Sequence, residues 1–328
     1  MSQLTALAEA LRTHPNIVEK LLIARAYSPS VSVSGGIAVG DDAAAIPDGD
    51  GYLLFAAEGM LEGFTARDPW FAGYCAVMVN LSDIAAMGGR PTAIVDVLWT
   101  HDESSIAREL WAGLQAASKA YDVPIVGGHT ARLPSDRTPL LAAAVIGRAK
   151  RLISSFTAKP GDLLLMAVDL RAAYRGTGTL FWNASTDAPA ARLRGDLALL
   201  PQLAETQIVT SGKDISNGGV LGTLAMLLST SRCGATLDLD ALPRPVGLAL
   251  DQWLLSFPSF GYLLTATSEN APAVIELFSN RQIACAIVGR IGEGHTLLLR
   301  QAGEVVDFAP IIPADDPTGS WDLPSTSP

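Results

Sequence analysis

The sequence predicts a two-domain protein of mixed α/β class, with an N-terminal sheet domain followed by a C-terminal α/β domain. Three observations predict it. At 328 residues the chain is longer than one hydrophobic core usually covers. Strand-length apolar runs alternate with helical periodicity through both halves. The first clear compositional break is Arg148-Ala149-Lys150-Arg151, which divides the chain into domains at residues 1–150 and 151–312 and leaves 313–328 as a loose tail rich in Pro, Ser and Asp.

Taken in order, the elements begin with an amphipathic helix carrying Leu4, Leu7 and Leu11, and helical character continues to about Ala26. A polar, Gly-rich stretch over 28–36 leads to Gly40-Asp41-Asp42 and a Pro47-Asp48-Gly49 turn. Tyr52–Ala57 reads as a buried strand and Phe71–Met87 as a helix apolar around most of its circumference, stopped by Gly88-Gly89. A strand over Ala93–Trp99, a helix over Ser104–Lys119, a strand over Val123–Val126 closed by Gly127-Gly128, and a strand over Thr138–Gly147 complete the first half. The second half reads as strands near 163–168, 235–239, 262–265, 284–288 and 295–300. Its helices fall near 190–199, 219–229 and 273–278.

Composition narrows the function. A net charge of −10 with no Lys/Arg cluster argues against nucleic-acid binding, because nothing would displace counterions from a phosphate backbone. Hydrophobic residues make up 49% and charged residues 17%, which excludes a largely disordered chain and suggests apolar surface for subunit contacts, hence an oligomer. Cys75, Cys233 and Cys285 lack any C-x-x-C spacing and read as structural thiols in a reducing compartment. No export signal is visible and the longest apolar runs are too short to cross a bilayer, so the expectation is a soluble cytoplasmic protein without a membrane partner.

The chemistry must rest on carboxylates. The chain has no P-loop, no G-x-G-x-x-G, no H-E-x-x-H and no G-x-S-x-G. Instead, acidic residues sit in Gly-rich or helix-embedded settings. Asp83 lies inside the apolar helix, where an ionised carboxylate must be paired or metal-bound, and Asn80 shares its face three residues earlier. Asp41 and Asp42 stand at the mouth of a small apolar run, with room for one of them to point outward. Glu58 and Glu62 follow a strand, His129 follows Gly127-Gly128, and Asp214 lies in Asp214-Ile215-Ser216-Asn217-Gly218-Gly219 before a helix. Each has a plainer reading: a turn for Gly40-Asp41-Asp42, a loop carboxylate for Glu58, a helix cap for Asp83, Asp214 or Ser216, and a loop histidine for His129. Carboxylates that converge would hold hard cations, and Mg²⁺ so held presents a substrate's phosphates.

The order of these motifs, with Asn80-Leu81-Ser82-Asp83-Ile84-Ala85-Ala86-Met87-Gly88-Gly89-Arg90-Pro91 the most specific piece, resembles the AIR-synthase-like superfamily. Gly40-Asp41-Asp42-Ala43-Ala44 with Leu61-Glu62-Gly63-Phe64 is most similar to its thiamine-monophosphate kinase branch. The resemblance implies a two-domain homodimer that uses ATP and Mg²⁺. Asp41, Asp42, Asp83 and Asp214 would then be metal or phosphate ligands, joined by Glu58. Gly35, Gly36, Gly40, Asn80, Gly127, Gly128, Thr130 and Asn217 would lie along the nucleotide. Asp42, His129 and Asp214 would serve the transfer of the γ-phosphoryl group to an oxygen of a small-molecule acceptor. The chain departs from the kinase pattern where Glu58, His129 and Asn217 stand in place of Asp, which removes two negative charges and predicts an acceptor other than thiamine phosphate. The same residues would also suit a two-metal phosphohydrolase or a non-catalytic nucleotide-binding subunit.

Overall fold

A computed structural model of the chain describes residues 1–23, 32–33, 37–101, 104–176 and 178–312. Two compact units emerge. One combines Met1–Asp41, Ile153–Thr186 and the chain from Thr206 on; the other combines Asp42–Leu152 with Asp187–Glu205. One boundary between the units falls between Leu152 and Ile153, with residues 1–41 grouped with elements after it and residues 187–205 with those before it.

The N-terminal segment shows why. The helical stretch divides at His14 into α1 (Gln3–Arg12) and α2 (Pro15–Ile23), with Pro15 opening the second helix. Ser2 caps α1 by accepting from the Thr5 N–H at 3.1 Å, and Leu4, Ala8 and Leu11 are buried in the same core as Phe308 and Leu228. Short strands β1 (Ser32–Val33) and β2 (Ile37–Ala38) pair antiparallel.

In the second unit, β3 (Ala44–Asp48) and β4 (Gly51–Gly59) form a hairpin whose turn uses the left-handed Gly49. Next come α3 (Glu62–Arg67), α4 (Pro69–Ala86), β5 (Arg90–Thr100), α5 (Ser105–Tyr121), β6 (Ile125–Arg132) and β7 (Leu140–Ala149). Later in the chain α6 (Ala190–Leu197) and α7 (Leu199–Thr206) follow, the latter ending at the unit boundary. The sheet order is β3-β4-β7-β5-β6; β5 and β6 are parallel and joined through α5, and the other pairs are antiparallel. Helix α4 packs against β4, β5 and β7 on one side and α5 on the other, which is why it is apolar nearly all round. Gly73 and Gly113 permit that helix contact: a Cβ on Gly73 would lie 1.9 Å from the Leu110 carbonyl oxygen, and one on Gly113 1.8 Å from that of Trp70.

Two strand expectations are corrected here. The segment over 52–57 is buried on one face only: Leu54 and Ala56 are buried, whereas Phe55 is 45% exposed, because only one face of the sheet carries helices of this unit. Strand β6 does not close at Gly127-Gly128. It runs on through His129 and Thr130 to Arg132, held by parallel pairing with β5.

The first unit is built on β8 (Leu163–Val168), β11 (Ser211–Asp214), β12 (Gly234–Asp238), β14 (Gly261–Ala266), β15 (Ala284–Gly292), β16 (Thr296–Gln301) and β17 (Glu304–Pro310), in the order β11-β14-β8-β15-β12-β16-β17. A small sheet joins β9 (Ala173–Tyr174), β10 (Phe181–Asn183) and β13 (Phe257–Pro258). Helices α8 (Gly219–Ser231), α9 (Leu250–Leu255) and α10 (Ala271–Ser279) complete the unit. Helix α8 is buried on most sides between α2, α9 and the sheet. The sequence expectation lacked β11 and β17, whose polar residues (Ser211, Lys213, Glu304, Asp307) hide their strand character. The expected tail, 313–328, lies outside the described residues.

Candidate metal centre

Gly40 sits at φ +119°, a conformation that glycine alone adopts readily, and turns the chain into the two aspartates. Their carboxylates have different fates. Asp41 accepts from Ser154 Oγ at 2.7 Å and from the Ser155 N–H at 3.0 Å, so protein donors in the first unit occupy it. Asp42 opens the second unit, half-buried, and one of its carboxylate oxygens lies within 4.8 Å of one from Asp83. A single hard cation at about 2.0–2.6 Å from each oxygen spans that gap.

Asp83 reaches this position because α4 is pinned along its length. Asp68 caps it by accepting from the Phe71 N–H at 3.3 Å, Pro69 fixes its first turn, and the left-handed Gly88 ends it. The side chain is 9% exposed. One turn earlier, Asn80 is fully buried and donates through Nδ2 to the carbonyls of Ala76 at 2.8 Å and Ala143 at 3.2 Å.

The remaining candidates are carried by other elements. Glu58 is exposed near the end of β4, opposite Ala143 of β7. Gly127, Gly128, His129 and Thr130 are residues of β6, and His129 pairs with Val97. Strand alternation places His129 on the opposite face from Gly128, and so away from the α4 side of the sheet. Asp214, 7% exposed, closes β11 opposite Tyr262 in the first unit. Neither Asp214 nor Ser216 caps α8; the cap position is the left-handed Gly218, and Asn217 is half-buried in the turn before it. Gly35 and Gly36 lie outside the described residues.

Two buried charged residues escaped the sequence reading. Asp96 stands in the middle of Ile94-Val95-Asp96-Val97-Leu98, 8% exposed, and burial pushes its carboxyl above the ordinary carboxylate range against the pull of its own backbone N–H. The reasoning applied to Asp83, a charge inside an apolar element, would have found it. A Cβ on Gly128 would lie 2.3 Å from Asp96 Oδ1, so it is this carboxylate that occupies the space over that glycine. Lys213, 3% exposed, precedes Asp214 on β11. Two thiols are held protonated by contrast: burial raises Cys233 to about 11, with Asp162 adding to the shift, and Cys285 to about 12.

Comparison with known proteins gives a consistent picture. Residues 40–149 match the N-terminal domain of AIR synthase related proteins and residues 178–300 match the C-terminal domain. An uncharacterised protein of Synechocystis sp. is 48% identical over 268 residues, 82% of each chain. The thiamine-monophosphate kinase of Synechococcus elongatus is 27% identical over 80% of this chain and 86% of its own length. Among solved structures, T. maritima PurL complexed with ADP superposes with a TM-score of 0.75 at 17% identity; it shares the fold, and this chain spans all of its own length but 54% of the PurL chain.

Proposed function

The chain belongs to the AIR synthase related protein family, and from that premise we propose that it is an ATP- and Mg²⁺-dependent enzyme that transfers the γ-phosphoryl group to an oxygen of a small metabolite. The observation that carries this reading is the approach of Asp42 and Asp83 within 4.8 Å, with Asp83 buried in an apolar helix. Two hard, anionic oxygens so close repel each other unless a cation sits between them, and carboxylate is the donor that Mg²⁺ prefers. The residues present therefore fit the metal. Relatives support the nucleotide: one is a kinase by name and one PurL structure holds ADP.

Asp42 and Asp83 would hold Mg²⁺, with Glu58 and Asp214 as further ligands on their sequence motifs. Bound Mg²⁺–ATP would supply the transferable phosphoryl group and the neutralisation of its charge. The protein's own part is positional. Asp83 is fixed by a helix capped at its start and packed on both sides, so its oxygen is presented without reorganisation. Asp42 is aimed by the left-handed Gly40 and by the anchoring of its neighbour Asp41 on Ser154 and Ser155. His129, on the other face of the sheet, is given no step.

A homodimer is part of the same proposal. The face of the five-stranded sheet away from α4 presents Ile46 (44% exposed), Phe55 (45%) and Val95 (39%), an apolar surface suited to a second copy.

The test is calorimetric titration of the metal-stripped chain with ATP, with and without Mg²⁺. Mg²⁺-dependent binding, followed by stoichiometric ADP formation in the presence of an acceptor, supports the reading. Absence of binding at millimolar nucleotide ends it. Hydrolysis without preference for ATP would instead indicate a phosphohydrolase, and binding without turnover a nucleotide-binding subunit.

A further inference from the structure

The face of the five-stranded sheet away from α4 sets a histidine among small and aliphatic side chains. Two rows of residues in register cross that face. Ala57, Ala144, Val95 and Gly127 form one, and Gly59, Ala142, Val97 and His129 the next, each row taking a residue from β4, β7, β5 and β6 in turn. The same register fixes direction. A Cβ on Gly127 would lie 4.0 Å from Val95 Cγ1, whereas one on Gly128 would meet Asp96 Oδ1, so His129, two residues beyond Gly127, lies outward with Val95. It is exposed there.

The other ionisable groups of these strands are turned away or distant. Glu58, Asp96 and Arg132 fall on the opposite face by alternation. On its own face His129 adjoins Val97 of β5, and no strand of the sheet lies beyond β6. Arg148 and Arg90 share that face, but they stand opposite each other roughly 20 Å along the strands from the His129 row, paired with Asp48 and Glu205. Among the described strand residues, His129 is therefore the group in the middle of this face whose charge pH changes.

The relief of the face favours a copy of itself. Ala57, Ala144 and Gly127 form a low floor, with Phe55 raised on one side of it and His129 on the other. A two-fold rotation sets each raised side chain over the partner's floor. Cover over Val95 then brings His129 into the contact, because residues two apart on a strand are about 7 Å from each other.

We propose that His129 makes the self-association of this face pH-dependent: the contact takes the neutral imidazole and opens when the ring binds a proton from solvent. The inference rests on the homodimer reading above and is independent of the metal centre. A histidine changes charge between about pH 8 and 5. Enclosing the charged ring between aliphatic side chains removes its hydration, and no carboxylate on this part of the face compensates. Each contact holds two such rings, one from each copy, which doubles the effect.

Sedimentation velocity of the full chain at about pH 8 and about pH 5.5, at equal ionic strength, tests it. The unaltered protein should be dimeric at the higher pH, and its dimer dissociation constant should rise at least about tenfold at the lower. His129→Gln, polar but without charge, should stay dimeric at both. His129→Arg should be weakened at both. Equal dimerisation of the unaltered protein at the two pH values overturns the inference and leaves the homodimer standing, as does a His129→Gln protein that dissociates in acid to the same extent. A monomer at both values removes the homodimer reading and this inference with it. Circular dichroism at each pH separates dissociation from unfolding; if the chain unfolds in acid, the two variants are compared at about pH 8, where equal dimerisation of His129→Arg and His129→Gln overturns the proposal.

Discussion

Asp41 and Asp42 are adjacent in sequence and opposite in use, and the difference lies in what surrounds each carboxylate. Asp41 is held by a hydroxyl and a backbone N–H of the first unit. Asp41→Ala should therefore cost about 1–3 kcal/mol of stability through the unpaired Ser155 N–H, read as a lowered urea midpoint, with Mg²⁺ affinity retained. Asp83→Asn should do the reverse: a midpoint that does not fall in the absence of metal, because the repulsion with Asp42 is removed, and loss of Mg²⁺-dependent nucleotide binding by calorimetry, because the isosteric amide supplies no charge. Asp96 gives a pH signature. Its pKa in the folded chain is raised by burial, so folding favours the protonated form. The contribution of this group is complete below its unfolded pKa and is lost as pH rises through the higher folded value. In chelator, stability should fall with rising pH across that window, and Asp96→Asn should flatten the slope; parallel urea-midpoint profiles for the two proteins would contradict this.

At the scale of elements, the pair α4 and α5 decides where Asp83 stands. Asp83 is useful only if α4 is seated, and α4 is seated through backbone contact at Gly73 and Gly113. A methyl at Gly113 would fall 1.8 Å from the Trp70 carbonyl oxygen, at the first turn of the helix that carries Asp83. Gly113→Ala should then destabilise the chain by about 1–3 kcal/mol, as overpacking does, and lower Mg²⁺ affinity although residue 113 touches no candidate ligand. Thermal unfolding with and without Mg²⁺ measures both effects. Strand β6 shows a similar dependence on its neighbour. Gly127-Gly128 suggests a turn by composition, yet pairing with β5 extends the strand through both glycines, and Asp96 fills the space that a side chain at 128 would need.

For the whole molecule, the exposed apolar sheet face is the feature that a monomer leaves unexplained. Ile46, Phe55 and Val95 lie outward on β3, β4 and β5, with Leu53 and Ile146 beside them by register. Burial of such a face by a second copy predicts that Phe55→Asp combined with Val95→Asp converts a dimer to a monomer in sedimentation velocity, since two charges per chain would have to be desolvated. A species of unchanged mass would separate this surface from assembly. No helix among the described residues is long and apolar enough to cross a membrane, so a bilayer-spanning helix there does not account for the exposed face.

The amino-acid pattern by itself determined the mixed α/β class, the alternation of elements in both halves, and the prominence of Asp83. These follow from local periodicity and from the cost of burying a charge, which a single segment already displays. The apolar circumference of α4 was legible because a helix packed on two sides needs it. Tertiary structure alone decided the rest. That Asp41 is held by Ser154 and Ser155, more than a hundred residues away, while Asp42 approaches Asp83 is decided by the fold. The allegiance of the first 41 residues to the C-terminal elements depends on the packing of α1 on β17 and of α2 on α8. The face on which His129 lies, and the presence of Asp96 over Gly128, are set by strand register. Register and long-range pairing arise from contacts between distant segments, and no local pattern of residue types encodes them.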